Sequence, residues 1–139
     1  MADKIKAYMM RVDEKSGQVY KGYIGEIKNA LKPKQDFVNY NKPGGLIQVI
    51  NVDDIDIICD DESKLKSFPP NRVWLIDGRV VDIFCGNILA VRHDAYGEFT
   101  SILHEDIKTI NEFLKPVHRV GTKLVVLPTE DWLEDYEED

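Results

Sequence analysis

Residues 73–84 read Val-Trp-Leu-Ile-Asp-Gly-Arg-Val-Val-Asp-Ile-Phe and carry the clearest structural signal in the chain. Two runs rich in β-branched and aromatic residues flank Asp77-Gly78, a dipeptide favoured in two-residue hairpin turns. This pattern predicts two antiparallel strands joined by a tight turn. A second hairpin is predicted upstream, because residues 46–52 are dense in β-branched residues, Asp53-Asp54 can reverse the chain and residues 55–59 can pair back.

The remaining apolar patterns predict further strands and two helices. Strands are expected at residues 4–12, 19–27, 88–92 and 120–127. One helix is expected within residues 29–40, where Pro33 can be accommodated only in the first turn. The other spans residues 102–114, where apolar residues recur at helical spacing, and Pro116 is expected to end it. These elements predict an α+β fold, mostly an antiparallel sheet of hairpins packed with one or two helices.

Length and composition predict one domain followed by a short tail. The chain has 139 residues and a mass of 16.0 kDa, close to the commonest size of a single domain. We expect residues 1–128 to form a single α+β domain and residues 129–139 to form an acidic tail or a short helix. Cys59 and Cys85 lie in apolar stretches and are expected to be reduced core residues. The sequence shows no signal peptide or membrane span, so a cytoplasmic protein is expected.

The net charge of -7 comes from the tail. Residues 129–139 hold seven of the 25 acidic residues and no lysine or arginine, so the rest has 18 residues of each sign. A body without excess positive charge is not expected to bind nucleic acid directly. Trp132, Leu133 and Tyr136 lie among the tail acids and are candidate anchors for a basic protein surface. Alternatively, the tail keeps the chain soluble and Trp132 packs on its own domain.

Six carboxylates within residues 53–62 raise the question of a cation site. Oxygen ligands suit calcium or magnesium, and such a site would be compatible with a metal-dependent hydrolase. The spacing does not fit an EF-hand loop, because no glycine stands at its turn and an apolar run interrupts the acids. The acids are more simply interpreted as charged hairpin ends that keep strand edges soluble. No metal or other cofactor is therefore expected.

A rigid stretch at residues 69–72, Pro-Pro-Asn-Arg, suggests a binding loop. An extended loop that presents the Asn71 amide and the Arg72 guanidinium can grip a carboxylate, a phosphate or a backbone segment. Alternatively, Asn71 closes a turn and Arg72 pairs with a local acid. An anionic nucleotide is a further candidate ligand, since arginine binds phosphate while an aromatic face holds the base. The candidate residues for such a site are Arg72, Arg79 and Arg92, with Trp74 or Phe84 as the stacking ring.

Several short motifs follow one another in an order that resembles a known family. They are Gly44-Gly45-Leu46-Ile47-Gln48-Val49, Glu62-Ser63-Lys64-Leu65, Pro70-Asn71-Arg72, Asp77-Gly78, Asp82-Ile83, Gly86-Asn87 and Gly97-Glu98-Phe99-Thr100-Ser101. From about Gly44 to Leu114 the chain resembles a small domain-of-unknown-function family encoded mainly by phages and conjugative elements of bacteria. The resemblance implies a setting in mobile genetic elements, in conflict with host defences, and carries over no catalytic residue. His104 departs from the usual polar capping residue, and residues 128–139 lie outside the resemblance.

The motifs do not predict catalysis. Neither cysteine neighbours a histidine in sequence, no serine lies in a GxSxG setting, and Gly44-Gly45 lacks the Lys-Ser/Thr pair of a phosphate-binding loop. We therefore expect a non-enzymatic binding protein that captures a host protein partner. The alternatives are a sponge that sequesters an anionic nucleotide signal of host immunity and a metal-dependent hydrolase. Because residues 120–127 are mostly apolar, we expect that strand to pair with its copy in a homodimer.

Overall fold

The computed structural model describes residues 3–43 and 45–129, which form ten strands and two helices. The strands are β1 (Lys4–Met10), β2 (Tyr23–Lys28), β3 (Ile47–Val52), β4 (Ile55–Asp60), β5 (Pro70–Ile76), β6 (Arg79–Cys85), β7 (Ile88–His93), β8 (Phe99–Thr100), β9 (Leu114–Val120) and β10 (Lys123–Val126). The helices are α1 (Leu31–Val38) and α2 (His104–Phe113). All named strand pairs are antiparallel. The predicted α+β fold, built mostly of antiparallel sheet, is confirmed.

The strands form two sheets. The first has the order β2-β1-β7-β4-β3, with β8 paired to β7, and the second has the order β10-β9-β5-β6. The chain passes from the second sheet to the first at Gly86, which has a φ of +80°. A Cβ atom at this position would approach the Phe68 ring to 2.9 Å. Both the backbone conformation and the close packing therefore favour glycine at this crossing.

The two helices cover opposite faces of the first sheet. Alternate residues of β7 point to opposite sides, so Ala90 belongs to the apolar cluster that contains Ile110 of α2, and Leu89 belongs to the cluster that contains Val38 of α1. The second sheet contributes Phe84 to the cluster around α2. The two sheets therefore share one apolar core. Neither helix, within the part of the chain described, is long and apolar enough to cross a membrane.

Both predicted hairpins are confirmed. Val52 pairs with Ile55 at the end of the β3–β4 hairpin, and Ile76 pairs with Arg79 at the end of the β5–β6 hairpin. Asp77-Gly78 connects β5 and β6, with φ angles of +50° and +77°. Two successive positive φ angles are what a type I′ turn requires.

The structure corrects the prediction after residue 100. The second helix is shorter than expected, and residues 114–120 form the strand β9 rather than its end. The expected strand at residues 120–127 is shorter than predicted, because the chain turns at Gly121 (φ +62°) and β10 covers only Lys123–Val126. Pro116 lies inside β9, opposite Arg72 of β5. Leu114 is buried and fits both an apolar helix stripe and a buried strand, so the pattern alone did not separate the two.

The described chain ends at Thr129, whose side chain is 2 % exposed. Its hydroxyl accepts a hydrogen bond from Lys115 Nζ at 2.9 Å. The predictions for Trp132, Leu133 and Tyr136 concern residues outside the described part of the chain.

Candidate functional site

Residues 11–22 connect β1 to β2 and form one wall of a cleft. An isolated bridge joins Val12 to Val19, and the N–H of Tyr20 donates to the carbonyl of Arg11 at 3.0 Å. The expected strands at residues 4–12 and 19–27 are therefore shorter than predicted. The tip of the connection is closed by Asp13, whose carboxylate accepts hydrogen bonds from the N–H groups of Ser16 (2.7 Å) and Lys15 (3.1 Å). These bonds, first of all that from Ser16, lower the pKa of Asp13.

The cleft between this connection and α1 has a volume of about 920 Å³, and we call it the Arg11 cleft. Four aromatic residues, Tyr20, Tyr23, Phe37 and Tyr40, contribute to its lining. Tyr20 and Tyr23 are 42 % and 40 % exposed, respectively. Exposed rings around a concave site provide flat apolar faces to a ligand.

Arg11 supplies a positive charge among these rings. Its guanidinium carbon lies 5.8 Å from the centre of the Phe37 ring, and its Nη1 donates to the Tyr23 hydroxyl at 3.5 Å. Within residues 3–43 and 45–129, no carboxylate oxygen lies within 4.0 Å of this guanidinium. The aromatic contacts position Arg11 and leave its charge without an internal counterion in the described chain.

The acidic residues of the cleft are engaged with other partners. Glu14 forms an ion pair with Lys42 at 2.8 Å, and Asp36 forms one with Lys32 at 3.1 Å. Asp13 accepts the hydrogen bonds of its own turn. The cleft therefore combines an arginine available to an anion with carboxylates that are held at its edges.

Buried polar contacts hold the walls of the Arg11 cleft together. The Tyr40 hydroxyl donates to the Val12 carbonyl at 2.7 Å, and burial raises the pKa of this tyrosine well above its usual value. Asn87 accepts from the Val12 N–H at 3.0 Å and donates to the Phe37 carbonyl at 3.1 Å. Tyr40 and Asn41 have φ angles of +59° and +60°. For tyrosine this conformation is strained, and such strain persists where the surrounding contacts enforce it.

The structure corrects the interpretation of residues 69–72 as a loop that presents its polar side chains. Asn71 and Arg72 lie in β5 and are fully buried. Asn71 Nδ2 donates to the carbonyls of Met10 (2.9 Å) and Gly86 (2.8 Å), while Arg72 Nη1 donates to Asn71 Oδ1 at 2.6 Å. Arg72 Nη2 donates to the Tyr20 carbonyl at 3.0 Å. The pair thus positions one wall of the Arg11 cleft from behind and is not presented at the surface.

The other predicted ligand-binding residues lie apart from one another. Trp74 is half-buried and stacks on Phe84, with ring centres 6.1 Å apart. Arg79 is exposed at the tip of the β5–β6 hairpin in the second sheet. Arg92 lies in β7 of the first sheet, where its guanidinium is bound by Asp106. The structure therefore does not assemble these residues into one site.

The six carboxylates at residues 53–62 are also separated. Asp53 and Asp54 precede β4, while Asp61 and Glu62 follow it, and a strand of six residues spans roughly 20 Å. On β4 itself, Asp56 Oδ2 lies 3.0 Å from His93 Nδ1, and Asp60 pairs with Lys66 at 2.8 Å. Among the described residues, no three histidine, cysteine or acidic side chains are placed to hold a metal ion. The hydrolase alternative gains no support from this arrangement.

Sequence reasoning missed the Arg11 cleft. Its central residues come from three places: Arg11 follows β1, Tyr23 begins β2 and Phe37 lies in α1. No spacing in the sequence links Arg11 to Phe37. The available local signal was the exposed tyrosine pair at positions 20 and 23 beside a turn, and by itself it resembles an ordinary strand.

Comparison with known protein families gives a match over most of the chain. The model of a family described as a domain of unknown function, DUF3846, matches residues 9–117. The matched part runs from the end of β1 into β9 and includes the Arg11 cleft. It is longer than the resemblance at residues 44–114 and agrees with the expectation of a domain-of-unknown-function family. No curated protein and no solved structure matched this chain.

Proposed function

We propose that this chain, which belongs to the DUF3846 family of domains of unknown function, is a non-enzymatic binding protein that captures a planar anionic ligand in the Arg11 cleft. The ligand class that fits best is a nucleotide. The observation that carries the proposal is the Arg11 guanidinium, held between the Phe37 ring and the Tyr23 hydroxyl with no carboxylate partner in the described chain. The proposal includes a setting in a phage or other mobile element, where sequestering a host nucleotide signal would weaken host defence.

The chemistry of the cleft supports this ligand class. A guanidinium offers paired N–H donors that match phosphate oxygens, and stacking on Phe37 restricts its orientation before the ligand arrives. The rings of Tyr20 and Tyr23 provide faces on which a base can stack. A volume of about 920 Å³ falls within the range of small-molecule sites.

The lining of the cleft also supports binding rather than catalysis. The described residues that line it include no histidine, serine or cysteine. Asp13, Glu14 and Asp36 accept hydrogen bonds or form ion pairs within the protein. A carboxylate that acts as a general base must be able to contact the substrate proton that it removes, whereas these three carboxylates are engaged with groups of the protein itself.

Calorimetric titration with nucleoside monophosphates, diphosphates and dinucleotides tests the proposal. Arg11→Ala is expected to weaken binding at least tenfold, which corresponds to about 1.4 kcal/mol. Arg79→Ala removes an exposed arginine from the other sheet and serves as the matched control, with affinity expected to stay unchanged. Absence of binding by any nucleotide at millimolar concentration, or equal affinities for the wild type and Arg11→Ala, would refute the proposal.

A second candidate function is capture of a host protein through the edge of the second sheet. β10 ends the sheet order and exposes Val125 (45 %) and Val126 (42 %), and Val120 (57 %) is exposed at the end of the neighbouring strand β9. An exposed apolar edge can accept an extended segment of another protein as an additional strand. Affinity purification with wild-type and Val125→Lys protein as baits tests this, because a partner bound at the edge is expected only with the wild type. Identical partners for both baits would argue against this surface.

A further inference from the structure

A second cleft lies on the other side of the turn at residues 13–19, and we call it the β9 cleft. Its volume is about 1080 Å³. Its walls come from this turn, from the segment that leads into β5, and from β9 and β10. Glu14 and Lys15 line both this cleft and the Arg11 cleft. The turn therefore separates two neighbouring clefts.

Positive charges converge on the β9 cleft from three separate segments. Lys15 comes from the turn, Lys64 from the segment before β5, and Arg119 from β9. In the described part of the chain, no carboxylate oxygen lies within 4.0 Å of Lys15 or Arg119. This local excess does not reflect overall composition, because residues 1–128 carry equal numbers of basic and acidic residues.

The other two charged side chains of the lining, Lys64 and Glu14, are paired with a residue of opposite charge. Lys64 forms an ion pair with Asp82 at 2.8 Å, and Glu14, the single acidic residue among those described in the lining, is paired with Lys42. Burial raises the pKa of the Cys85 thiol, and the nearby Lys64 and Arg119 lower it while Asp82 raises it further. Among the described residues, Lys15 and Arg119 are thus the cations of the lining that lack an ion-pair partner.

The β9 cleft also has an apolar component, to which Pro69, Leu124 and Leu127 contribute. The N–H of Leu127 donates to the Pro116 carbonyl at 2.9 Å, which fixes this residue against β9. Two residues later, Thr129 is buried and bound by Lys115. The chain therefore reaches residue 130 from an anchored position close to the cleft.

We propose that the β9 cleft binds the chain's own C-terminal segment, residues 130–139. This segment has seven acidic residues and no basic one, and it contains Trp132, Leu133 and Tyr136. Its composition complements a cleft that combines an apolar lining with two cations, Lys15 and Arg119, that have no carboxylate partner among the described residues. Because the segment continues directly from an anchored residue, its effective concentration at the cleft is on the order of millimolar, so weak contacts suffice for occupancy. The proposal is independent of the ligand proposed for the Arg11 cleft.

Fluorine NMR of the full-length protein labelled with 5-fluorotryptophan tests this proposal. The chain has two tryptophans, and Trp132→Phe assigns their resonances. In the wild type at low salt, the Trp132 resonance is expected to differ from that of a synthetic peptide of residues 129–139. The double variant Lys15→Glu/Arg119→Glu is expected to move it to the peptide position, as is about 1 M salt, which shortens the screening length to about 3 Å. Lys108→Glu, on the exposed face of α2, is the matched control and is expected to leave it unchanged.

The Trp74 resonance reports in the same spectrum whether each variant is folded, because Trp74 packs against Phe84 and Phe113. A Trp132 resonance that coincides with the peptide in the wild type would overturn the proposal. So would a distinct resonance that the double charge reversal leaves in place, since the segment would then bind elsewhere. A resonance that moves to the peptide position on dilution would show that the segment binds a second copy and would overturn the intramolecular contact.

Discussion

Arg92 and Asp106 form a two-point ion pair that joins the first sheet to α2. Arg92 Nε donates to Asp106 Oδ2 at 2.6 Å, and Nη2 donates to Oδ1 at 2.7 Å. The same carboxylate accepts a hydrogen bond from the Leu103 N–H at 2.9 Å, at the start of α2. Asp106 therefore caps the helix and anchors it to β7 at once. The sequence analysis named Arg92 as a candidate ligand-binding residue, but its Nε and Nη2 donors bind Asp106.

Removing the Arg92 side chain is expected to destabilise the fold. Arg92→Ala leaves the Asp106 carboxylate, 5 % exposed, without its cation. Because Arg92 itself is 28 % exposed, we expect a loss of about 2 kcal/mol in the free energy of unfolding, below the cost of breaking a fully buried pair. Arg92→Lys keeps the charge but loses the paired geometry, and it should show an intermediate loss. Urea denaturation measures both values, and a lysine variant as stable as the wild type would contradict the two-point contact.

The same ion pair predicts a loss of stability in acid. Burial alone would raise the pKa of Asp106, but hydrogen bonds from Arg92 and from the Leu103 N–H bring it below the ordinary value of 3.8. A lowered pKa in the folded state stabilises the protein above pH 3.8, and this contribution is lost as the pH falls through the folded-state pKa. Wild type and Asp106→Asn are therefore expected to differ in stability at neutral pH and to converge in acid. If the stability difference between the wild type and Asp106→Asn instead grows as the pH falls, the predicted lowering of the Asp106 pKa is contradicted.

Asn71 is expected to be among the least replaceable polar residues. Asn71→Ala removes the donors to two buried carbonyls and the acceptor of Arg72 Nη1. Leaving such groups unsatisfied is expected to cost about 3 kcal/mol. Gln18→Ala, at an exposed position of the turn, is the control and should change stability little. Equal urea midpoints for the two variants would show that the Asn71 contacts contribute nothing measurable.

The residues that sequence reasoning placed correctly carry local signals. Asp77-Gly78 predicts its own turn because two positive φ angles are needed there, and Pro33 predicts where α1 starts because it fits only a first turn. Asn71 and Arg72 were misplaced for a physical reason. Two prolines and two polar residues resemble a surface loop, and only the folded structure brings the Met10 and Gly86 carbonyls within hydrogen-bond distance of the Asn71 amide.

The Arg11 cleft could not be predicted from local sequence patterns. The contact of Arg11 with Phe37 links two elements with β2 between them, and no periodicity encodes it. The acids at residues 53–62 show the opposite error. They are close in sequence, which suggested a cluster, but the extended strand β4 separates the acids before it from those after it. In this protein, the sequence predicted elements and turns, while the placement of charges depended on tertiary packing.

The edge strand β10 leads to a prediction about association. β10 exposes Val125 and Val126 at the end of the second sheet, so pairing with its copy in a homodimer remains our expectation. Light scattering is then expected to give twice the 16.0 kDa mass of one chain. Val125→Lys should yield the monomer, because a lysine on an edge strand opposes pairing. Val80→Lys, on the opposite edge strand β6, is the control and should leave the dimer intact, whereas a wild-type monomer at high concentration would reject the prediction.

The two cysteines are expected to differ in reactivity. Burial, helped by the nearby Asp60 charge, raises the pKa of Cys59 to about 12, and this side chain is 3 % exposed. Burial also raises the pKa of Cys85, but Lys64 and Arg119 oppose the shift, and Cys85 is 8 % exposed and lines the β9 cleft. Because the thiolate is the reactive form, both thiols should react slowly with a chromogenic disulfide at pH 8, and Cys85 should react first.

Single-cysteine variants make this order measurable. Cys85→Ser leaves only Cys59 and should react more slowly than Cys59→Ser, in which Cys85 remains. Both variants should react rapidly and equally in denaturant, since unfolding removes the burial that raises each pKa. Faster reaction of Cys59 in the folded protein would contradict its placement in the core between the first sheet and α2.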